Sequence, residues 1–358
     1  MFKNYSYNPE SATDRHSFEI HDVDVSVING IRRTILTDIP TPGVIGEDPS
    51  TVEIIVNNGP LHNEILSHRI GLIPICLSED DIESYEDNSL ILELNVINTG
   101  NEIVNVTSGD IKGIKNGKEL TPKELSSIFP KNPISKSHIL ITRLRPNEQL
   151  HFKANVVTKT ARYNSAFCPV SLSNFFYIQD PKIANETNNV LDKERAYYKN
   201  EFGDPNAIQF EIEPINTSIT PKYLFNKAIN IIIDKFETLI ANLSSQNIGD
   251  NGVKIYQFQN LENTYEFCIQ NEDDTLGNII QSIIHNKYVR NEKSKLNDKH
   301  CSYIGYICPH PLKTELLVRI TLEDEKNPEE FIKFLEYNCR SIIDMFTNIK
   351  TEWNKFAK

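Results

Sequence analysis

Apolar and polar positions follow the same order in two distant parts of the chain. The segment FEIHDVDVSVINGIRRTIL begins at Phe18, and the segment FCIQNEDDTLGNIIQSII begins at Phe267. Each predicts a strand, then a short acidic turn, then a helix with its isoleucines at helical spacing. Aligned without a gap, the segments pair Phe18 with Phe267, Ile20 with Ile269, Asp24 with Asp273, Asn29 with Asn278, Ile31 with Ile280 and Ile35 with Ile284.

We predict that Ser26 and Thr275 cap these two helices, because a hydroxyl oxygen can accept a hydrogen bond from an unpaired amide at a helix start. Further along each half, the pattern predicts another strand and then a long amphipathic helix, over 221–243 in the first half and 328–356 in the second. Both halves therefore predict the order strand, helix, strand, long helix, with a strand-rich segment inserted in the first.

The long helices have wide apolar stripes, which indicates that each helix makes two buried contacts. Two like modules can bury such stripes against each other around a pseudo-two-fold axis. The alternative is that two common strand–helix modules match by chance. The pattern favours an α+β fold with two pseudo-symmetric modules in one chain. The predicted contact between the modules comprises Ile31, Ile35, Leu239, Leu276, Ile280, Ile342 and Phe346.

Shifts in pattern and composition predict the domain boundaries. Residues 1–76 and 205–245 form the first module, and residues 77–204 form the inserted domain. Residues 246–252 are a polar, glycine-containing linker, which leads to the second module at residues 253–358.

Composition narrows the classes of function. The 358 residues include 37 basic and 49 acidic side chains, a net charge of −12, which argues against a phosphate-binding groove as the main function. The six cysteines form no CxxC pair, a usage typical of a reducing compartment. Because there is neither a signal-peptide core nor an apolar run long enough to span a bilayer, we expect a soluble intracellular protein.

Candidate catalytic and metal-binding groups are sparse. His300, Cys301, Cys308 and His310 are of metal-ligand type, but their spacing matches no familiar zinc site. The segment LHNEILSHRI lacks the two histidines, four residues apart, that bind zinc in metalloprotease helices. No glycine-rich phosphate loop or GxSxG motif occurs. We therefore predict no catalytic residue, no metal and no cofactor, and keep a hydrolase that uses residues 300–310 as a lesser alternative.

Several of these segments resemble one family of proteins. The segment SVINGIRRTILTDIPTPGV resembles the signature helix of the alpha-type assembly subunits of multisubunit RNA polymerases, and LHNEILSHRIGLIPI resembles the next motif of the third-largest eukaryotic subunit and its archaeal D-type counterpart. The segment ITRLRPNEQLHFKANVVTKTARYNSAFCPV resembles their insertion domain. In the second half, DDTLGNIIQSII and YIGYICPHPLKTELLVRI resemble the small partner, which is the archaeal L-type protein and its eukaryotic counterparts.

The resemblance implies a non-catalytic platform on which the two largest, catalytic subunits of a DNA-directed RNA polymerase are mounted. It also implies that two chains of a heterodimer are fused here into one, which, with the Asn-, Ile- and Lys-rich sequence, suggests a large DNA virus. The protein would then act in the host cytoplasm or nucleus and be packaged in the virion. The alternative is a pseudo-symmetric protein-binding adaptor unrelated to transcription.

The resemblance also assigns site residues. It implies that Asn29, Arg32, Arg33, His68 and Arg69 contact the large subunits, although periodicity alone would leave the two α-helical arginines in solvent. On this basis we expect Arg33→Glu to leave the isolated protein folded and to weaken its uptake into the polymerase. Many relatives hold zinc or an iron–sulfur cluster through a cysteine group in the insertion. Only two cysteines, at positions 76 and 168, lie near that region here, so no such metal is expected.

Overall fold

The computed structural model of the chain describes residues 1–7, 14–48, 50–244, 252–259, 261–290, 301–323 and 325–357. Most of the predicted linker, residues 246–251, and His300 lie outside the described residues. The helices are α1 (Val25–Thr37), α2 (Asn63–Gly71), α3 (Glu79–Glu83), α4 (Pro122–Ile128), α5 (Pro181–Glu186), α6 (Val190–Glu194), α7 (Pro221–Ser244), α8 (Asp274–Ile284) and α9 (Pro328–Phe356). The strands are β1 (Phe2–Tyr7), β2 (His16–His21), β3 (Thr41–Gly43), β4 (Val52–Asn57), β5 (Leu90–Ile97), β6 (Val104–Thr107), β7 (Lys112–Lys115), β8 (Lys118–Glu119), β9 (Leu140–Leu144), β10 (Gln149–Asn155), β11 (Val157–Lys159), β12 (Val170–Tyr177), β13 (Ala207–Pro214), β14 (Val253–Gln257), β15 (Thr264–Gln270), β16 (Cys301–Ile307) and β17 (Glu315–Leu322).

Two four-stranded antiparallel sheets have the same construction. The first has the order β1-β2-β13-β12, and the second has the order β14-β15-β17-β16. In each sheet the second strand leads into a short helix, α1 or α8, and the third leads into a long helix, α7 or α9. The predicted α+β pattern and both long helices are therefore confirmed.

The matching acidic turns have a common conformational reason. Asp22 and Asn271 occupy equivalent positions after β2 and β15, and both adopt a left-handed backbone conformation, with φ of 60° and 62°. Asp and Asn tolerate this conformation better than other residues with a side chain. The residue type at this position was therefore a signal of the repeated turn.

The predicted helix caps were placed two residues too late. The capping residues are Asp24 and Asp273, whose carboxylates accept hydrogen bonds from the amides of Ser26 and Thr275 at 2.8 and 2.9 Å. The hydroxyl of Ser26 instead donates to the carboxylate of Asp24 at 2.6 Å. A carboxylate is at least as good a cap as a hydroxyl and adds a favourable interaction with the helix dipole.

The inserted domain has its own sheet and its own core. Its sheet has the order β4-β10-β5-β7-β8, and a separate ribbon pairs β6 with β9. Side chains from these strands and from α2, including Leu94, Phe152 and Leu66, form a hydrophobic cluster distinct from that of the modules. This domain is therefore held together by apolar packing.

Sheet membership differs from the predicted boundaries at two places. Strand β4 and helix α2 were predicted in the first module, but β4 pairs with β10 and α2 packs in the core of the insertion. Strand β12 was predicted in the insertion, but it pairs with β13 and forms an edge of the first module's sheet. Strand pairing between distant segments decides membership, and local composition does not reveal it.

One hydrophobic core contains side chains from both modules. Phe18 and Ile31 from the first half and Phe267 and Phe346 from the second belong to the same buried cluster, and each is fully buried. Helices α1 and α7 pack on each other, and they also meet α8 and α9 respectively. None of the helices in the described part of the chain combines the length and apolar character needed to span a bilayer.

Candidate interface between the modules

Helices α1 and α8 cross closely at the centre of this shared core. A Cβ atom on Gly30 would lie 2.7 Å from Cδ1 of Ile279, far inside a normal contact distance. Gly30 therefore lets the backbone of α1 approach the side chain of Ile279 on α8. By contrast Gly277, which the alignment pairs with Ile28, accommodates the ring of Tyr306 within the second module.

The capping residue of each helix is contacted by side chains at the far end of the other. Ser282 near the end of α8 donates to the Asp24 carboxylate at 3.0 Å, and Asn286 donates to it at 2.8 Å. At the other end, Arg33 of α1 donates from Nε to the Thr275 hydroxyl at 2.9 Å. Its Nη2 lies 3.7 Å from the carboxylate of the capping residue Asp273. The end of each helix thus contacts the start of the other, so the two helices run antiparallel. Because Arg33 and Ser282 are aligned positions, the arrangement has pseudo-two-fold symmetry.

Charged side chains surround the start of α8. Nη2 of Arg162, from the insertion, lies 2.8 Å from the Asp273 carboxylate, and the same guanidinium donates to Asp38 at the end of α1. Nζ of Lys235 on α7 lies 3.1 Å from the Glu272 carboxylate and 3.2 Å from that of Asp38. The network therefore connects the first module, the insertion and the second module.

Neighbouring groups of opposite charge oppose the effect of burial on the pKa values in this network. Burial acts to raise the pKa of Asp273, but hydrogen bonds from Thr275 and the charge of Arg162 outweigh it and lower the pKa to about 2. Burial raises the pKa of Glu272 by more than the nearby ammonium lowers it. Burial also acts to lower the pKa of Lys235, but the carboxylates of Glu272 and Asp38 outweigh it and raise the pKa. Glu272 is therefore the group among these three for which burial outweighs the nearby opposite charge.

Helices α7 and α9 form the second long contact, and they too run antiparallel. Phe236 and Phe346 place their ring centroids 6.4 Å apart near the middle of the contact. Towards the start of α7, Lys350 of α9 donates to Asn230 at 2.8 Å. Polar bonds at one turn and an aromatic contact at another fix the register of the two helices.

An aromatic cluster joins the end of α9 to the first module. The Trp353 ring lies 4.6 Å from the rings of both Phe18 and Phe225, measured between centroids, and 5.2 Å from that of Phe2. Its indole N–H donates to the backbone carbonyl of Lys222 at 3.3 Å. Trp353 is fully buried and is the single tryptophan of the chain.

The residues that were predicted to lie between the modules are all buried in the structure. Each is at most 2% exposed and belongs to the shared core. They are Ile31 and Ile35 on α1, Leu239 on α7, Leu276 and Ile280 on α8, and Ile342 and Phe346 on α9. The charged network escaped the sequence analysis, although the alignment of Asp24 with Asp273 marked the two caps around which polar contacts gather.

The residues predicted to contact large subunits fall into two separate groups. Asn29, Arg32 and Arg33 lie on α1, whereas His68 and Arg69 are exposed on α2 in the insertion. Arg69 donates to the carbonyl of Leu140 at 2.7 Å. No hydrogen bond or ion pair between described residues connects the two groups.

The two adjacent arginines on α1 have different surroundings. Arg33 contacts the second module. Arg33→Glu would therefore place another carboxylate beside that of Asp273 and disturb the contact. Arg32 is half-buried, donates from Nε to Asn29 at 3.0 Å, and has no carboxylate partner in the described part of the chain. Burial, then the adjacent charge of Arg33, lowers the pKa of Arg32. Arg32 is therefore the better probe of an external contact.

The cysteines and histidines give no metal site among the described residues, where no group of three or more potential ligands comes together. Burial raises the pKa of Cys301 to about 12 and that of Cys308 to about 11. Both are therefore thiols at neutral pH, a poor state for a nucleophile or a ligand. His310 is exposed and accepts a hydrogen bond from the Leu312 amide at 3.1 Å.

Comparison with known families agrees with the duplicated architecture. The model of the RNA polymerase Rpb3/Rpb11 dimerisation domain matches residues 17–236, and a second model with the same description matches residues 264–352. Because the first match covers more than half of the chain, the protein belongs to the Rpb3/Rpb11 dimerisation domain family.

Curated relatives include subunits of RNA polymerases. The chain is 26% identical over 195 residues to the subunit RPAC1 of DNA-directed RNA polymerases I and III of Saccharomyces cerevisiae, covering 48% of this chain and 57% of that one. It is 26% identical over 200 residues to subunit 3 of DNA-directed RNA polymerases II, IV and V of Arabidopsis thaliana, covering 52% and 60%. The chain therefore spans little more than half the length of these relatives.

Proposed function

We propose that this protein is a non-catalytic assembly subunit of a DNA-directed RNA polymerase. In this proposal the chain is an intramolecular pseudo-heterodimer, and the paired modules form a platform that mounts the two largest catalytic subunits and other polymerase subunits. The observation that carries the proposal is the presence of two Rpb3/Rpb11 dimerisation domains in one chain, with side chains from both in a single core. In this proposal the two matched segments take the places of the two separate chains of the heterodimer that the sequence resembles.

The proposal includes a division of the chain. The first module comprises β1, β2, α1, β12, β13 and α7, the insertion is the segment between α1 and β12 with strands β3 to β11, and the second module begins at β14. This division follows sheet membership and replaces the boundaries at residues 76 and 205. The exposed or half-buried side chains of Asn29, Arg32, His68 and Arg69 are the proposed contact residues for large subunits.

Arg32 is suited to such a contact. A guanidinium carries a planar set of donors that can bind carboxylates or backbone carbonyls, and it stays protonated at neutral pH. Among the residues that the structure describes, only its Nε donates to a side chain, that of Asn29. The remaining donors of Arg32 are therefore proposed to bind a carboxylate or carbonyl of a large subunit.

Affinity purification of a tagged full-length chain from its native source tests the proposal. We expect two very large polymerase subunits to co-purify in equal amounts, as identified by mass spectrometry. A free monomer without these partners would favour an adaptor outside transcription. The same experiment on purified virus particles tests the predicted viral origin and virion packaging.

A variant then tests the contact face. We expect Arg32→Glu to lower recovery of the large subunits at least tenfold, as for a charge-assisted contact worth about 1.5–3 kcal/mol, while the melting temperature of the isolated chain stays near that of the wild type. The matched control is Arg340→Glu, on an exposed position of α9 whose side chain is 62% exposed. Equal recovery with Arg32→Glu and the control would remove Arg32 from the contact face.

A further inference from the structure

Six charged side chains near the start of α8 form a connected set of ion pairs that we name the ionic joint. They are Arg33, Asp38, Arg162, Lys235, Glu272 and Asp273. We propose that the ionic joint favours pairing of a first module with a second module, which we call heterologous pairing. The surface formed by the first module and its insertion fits a second module, and the joint disfavours a pair made of two copies of the same module.

The charges are divided unequally between the two sides. The first module and the insertion contribute three cations and one carboxylate, a net charge of +2, and the second module contributes two carboxylates, a net charge of −2. The ion-paired set is therefore neutral, and Asp274, the first residue of α8, adds a further carboxylate on the second-module side. Complementary charge of this kind gives specificity by opposing wrong partners more than by adding affinity.

The pseudo-symmetric counterpart of the joint lacks this charge pattern. In the alignment of the two halves, Glu272 is replaced by Val23, and Arg33 is replaced by Ser282. At that end the Asp24 carboxylate accepts hydrogen bonds from the hydroxyl of Ser282 and the amide of Asn286, and no arginine or lysine in the described part of the chain pairs with it. The two ends of the α1–α8 pair are therefore equivalent in backbone and different in charge.

Pairing of two second modules would leave the acidic side of the joint uncompensated. Glu272 and Asp273 of one copy would face Ser282 of the other, and the cations Arg162 and Lys235 would be missing because they belong to the first-module side. The side chain of Glu272 is only 16% exposed, so it would be a largely buried carboxylate without its cation. Such a group is strongly destabilising.

Pairing of two first modules would have the opposite imbalance. The three cations of the joint would meet Asp38 of their own copy and Asp24 of the other, with Val23 in place of Glu272. Each end would carry three positive and two negative charges. Both homologous pairs are therefore unfavourable, and within the ion-paired set only the heterologous pair supplies as many carboxylates as cations.

The inference rests on the module pairing that is part of the proposed function, and it is tested on the purified full chain without polymerase. Lys235→Glu and Glu272→Lys each create like charges at the joint. We expect each single variant to lower the folding equilibrium constant at least about tenfold in urea titrations. The double variant, which restores opposite charges, is expected to recover most of this loss. A double variant no more stable than the two singles would overturn the proposal.

Refolding a mixture of the two variants gives a second readout, which is the choice of partner module. An ion pair with a merely structural role would not change this readout. If the two single variants are unfolded, mixed and refolded together, exchange of modules between them creates two joints that each hold one cation and one carboxylate. We expect a dimer with one copy of each variant, detected by native mass spectrometry, whereas each variant refolded alone gives monomer. If the mixture gives only monomers of undiminished stability, the joint does not select partners.

A matched control uses an ion pair inside one module. Arg319 contacts Glu266 at 2.8 Å between neighbouring strands of the second module. Exchange of modules between Arg319→Glu and Glu266→Lys cannot restore this pair, so their mixture is expected to give no mixed dimer. Because purified chain is used throughout, failure here would leave co-purification with polymerase subunits unaffected, and failure of co-purification would leave this result unaffected.

Discussion

Phe346 offers a direct measure of how tightly the two modules are packed together. It lies on α9 of the second module, is fully buried, and faces Phe236 of the first module at a ring-centroid distance of 6.4 Å. Phe346→Ala removes one of the two rings of this contact and leaves that of Phe236. Deleting the buried ring loses its transfer free energy of about 1.5–3 kcal/mol. The cavity left behind raises the total loss of unfolding free energy to about 3–5 kcal/mol.

The single tryptophan makes this loss easy to follow. Trp353 is buried among aromatic rings of the first module, so its fluorescence is expected to change when the modules separate. Urea titrations of wild type and Phe346→Ala should show a lower midpoint with an unchanged slope, because the surface exposed on unfolding is nearly the same. Circular dichroism recorded on the same samples should show the same midpoint for the shared core.

A variant on the exposed side of the same helix provides the control. Tyr337 on α9 is 60% exposed, and Tyr337→Ala is expected to lose no more than about 1 kcal/mol, the scale of an exposed cation–aromatic contact. If Phe346→Ala loses as little as Tyr337→Ala, the reasoning that places Phe346 in a tightly packed shared core is refuted. A tryptophan transition that precedes the circular dichroism transition would instead show that the modules separate before they unfold.

Two further predictions concern α1 and α8. The folded-state pKa of Asp273, about 2, lies below its ordinary value of 3.8, so its stabilising effect is present above about pH 4 and is lost as the pH falls through about 2. Asp273→Asn keeps a capping oxygen, and urea titrations should show about 2 kcal/mol less loss of stability between pH 5 and pH 2 than in wild type; equal losses would contradict the assignment. Gly30→Val should lower the free energy of unfolding by about 1–3 kcal/mol through overpacking against Ile279. Adding Ile279→Ala should relieve the clash, and additive losses in the double variant would show that the two positions do not touch.

Local signals were enough to predict much of the fold. The apolar spacing of 328–356 gave the long helix α9, and the match between the segments at Phe18 and Phe267 gave the repeated module. Each of these signals is contained in a stretch shorter than 30 residues. The caps were misplaced by two residues because aspartate and hydroxyl residues both favour helix starts, and they alternate at 24 and 26.

The site was less predictable, because its charged groups are distant in sequence. Arg162 and Asp38 are separated by 124 residues, and nothing near either residue indicates that they meet. The same limit applies to Arg32 and Arg33, which are adjacent and chemically identical. Only the position of α8 decides that Arg33 contacts the second module while Arg32 does not.

By itself, the sequence determined that the chain repeats one strand–helix module, because helix periodicity, capping carboxylates and left-handed turn residues act over a few neighbouring positions. Tertiary structure alone decided that β12 belongs to the first module, that the insertion reaches the second module through Arg162, and that, among the described residues, cations pair with the capping carboxylate at one end only of the α1–α8 contact. These features depend on pairing between segments far apart in the chain, whose free energy comes from packing and charge compensation that no local pattern records.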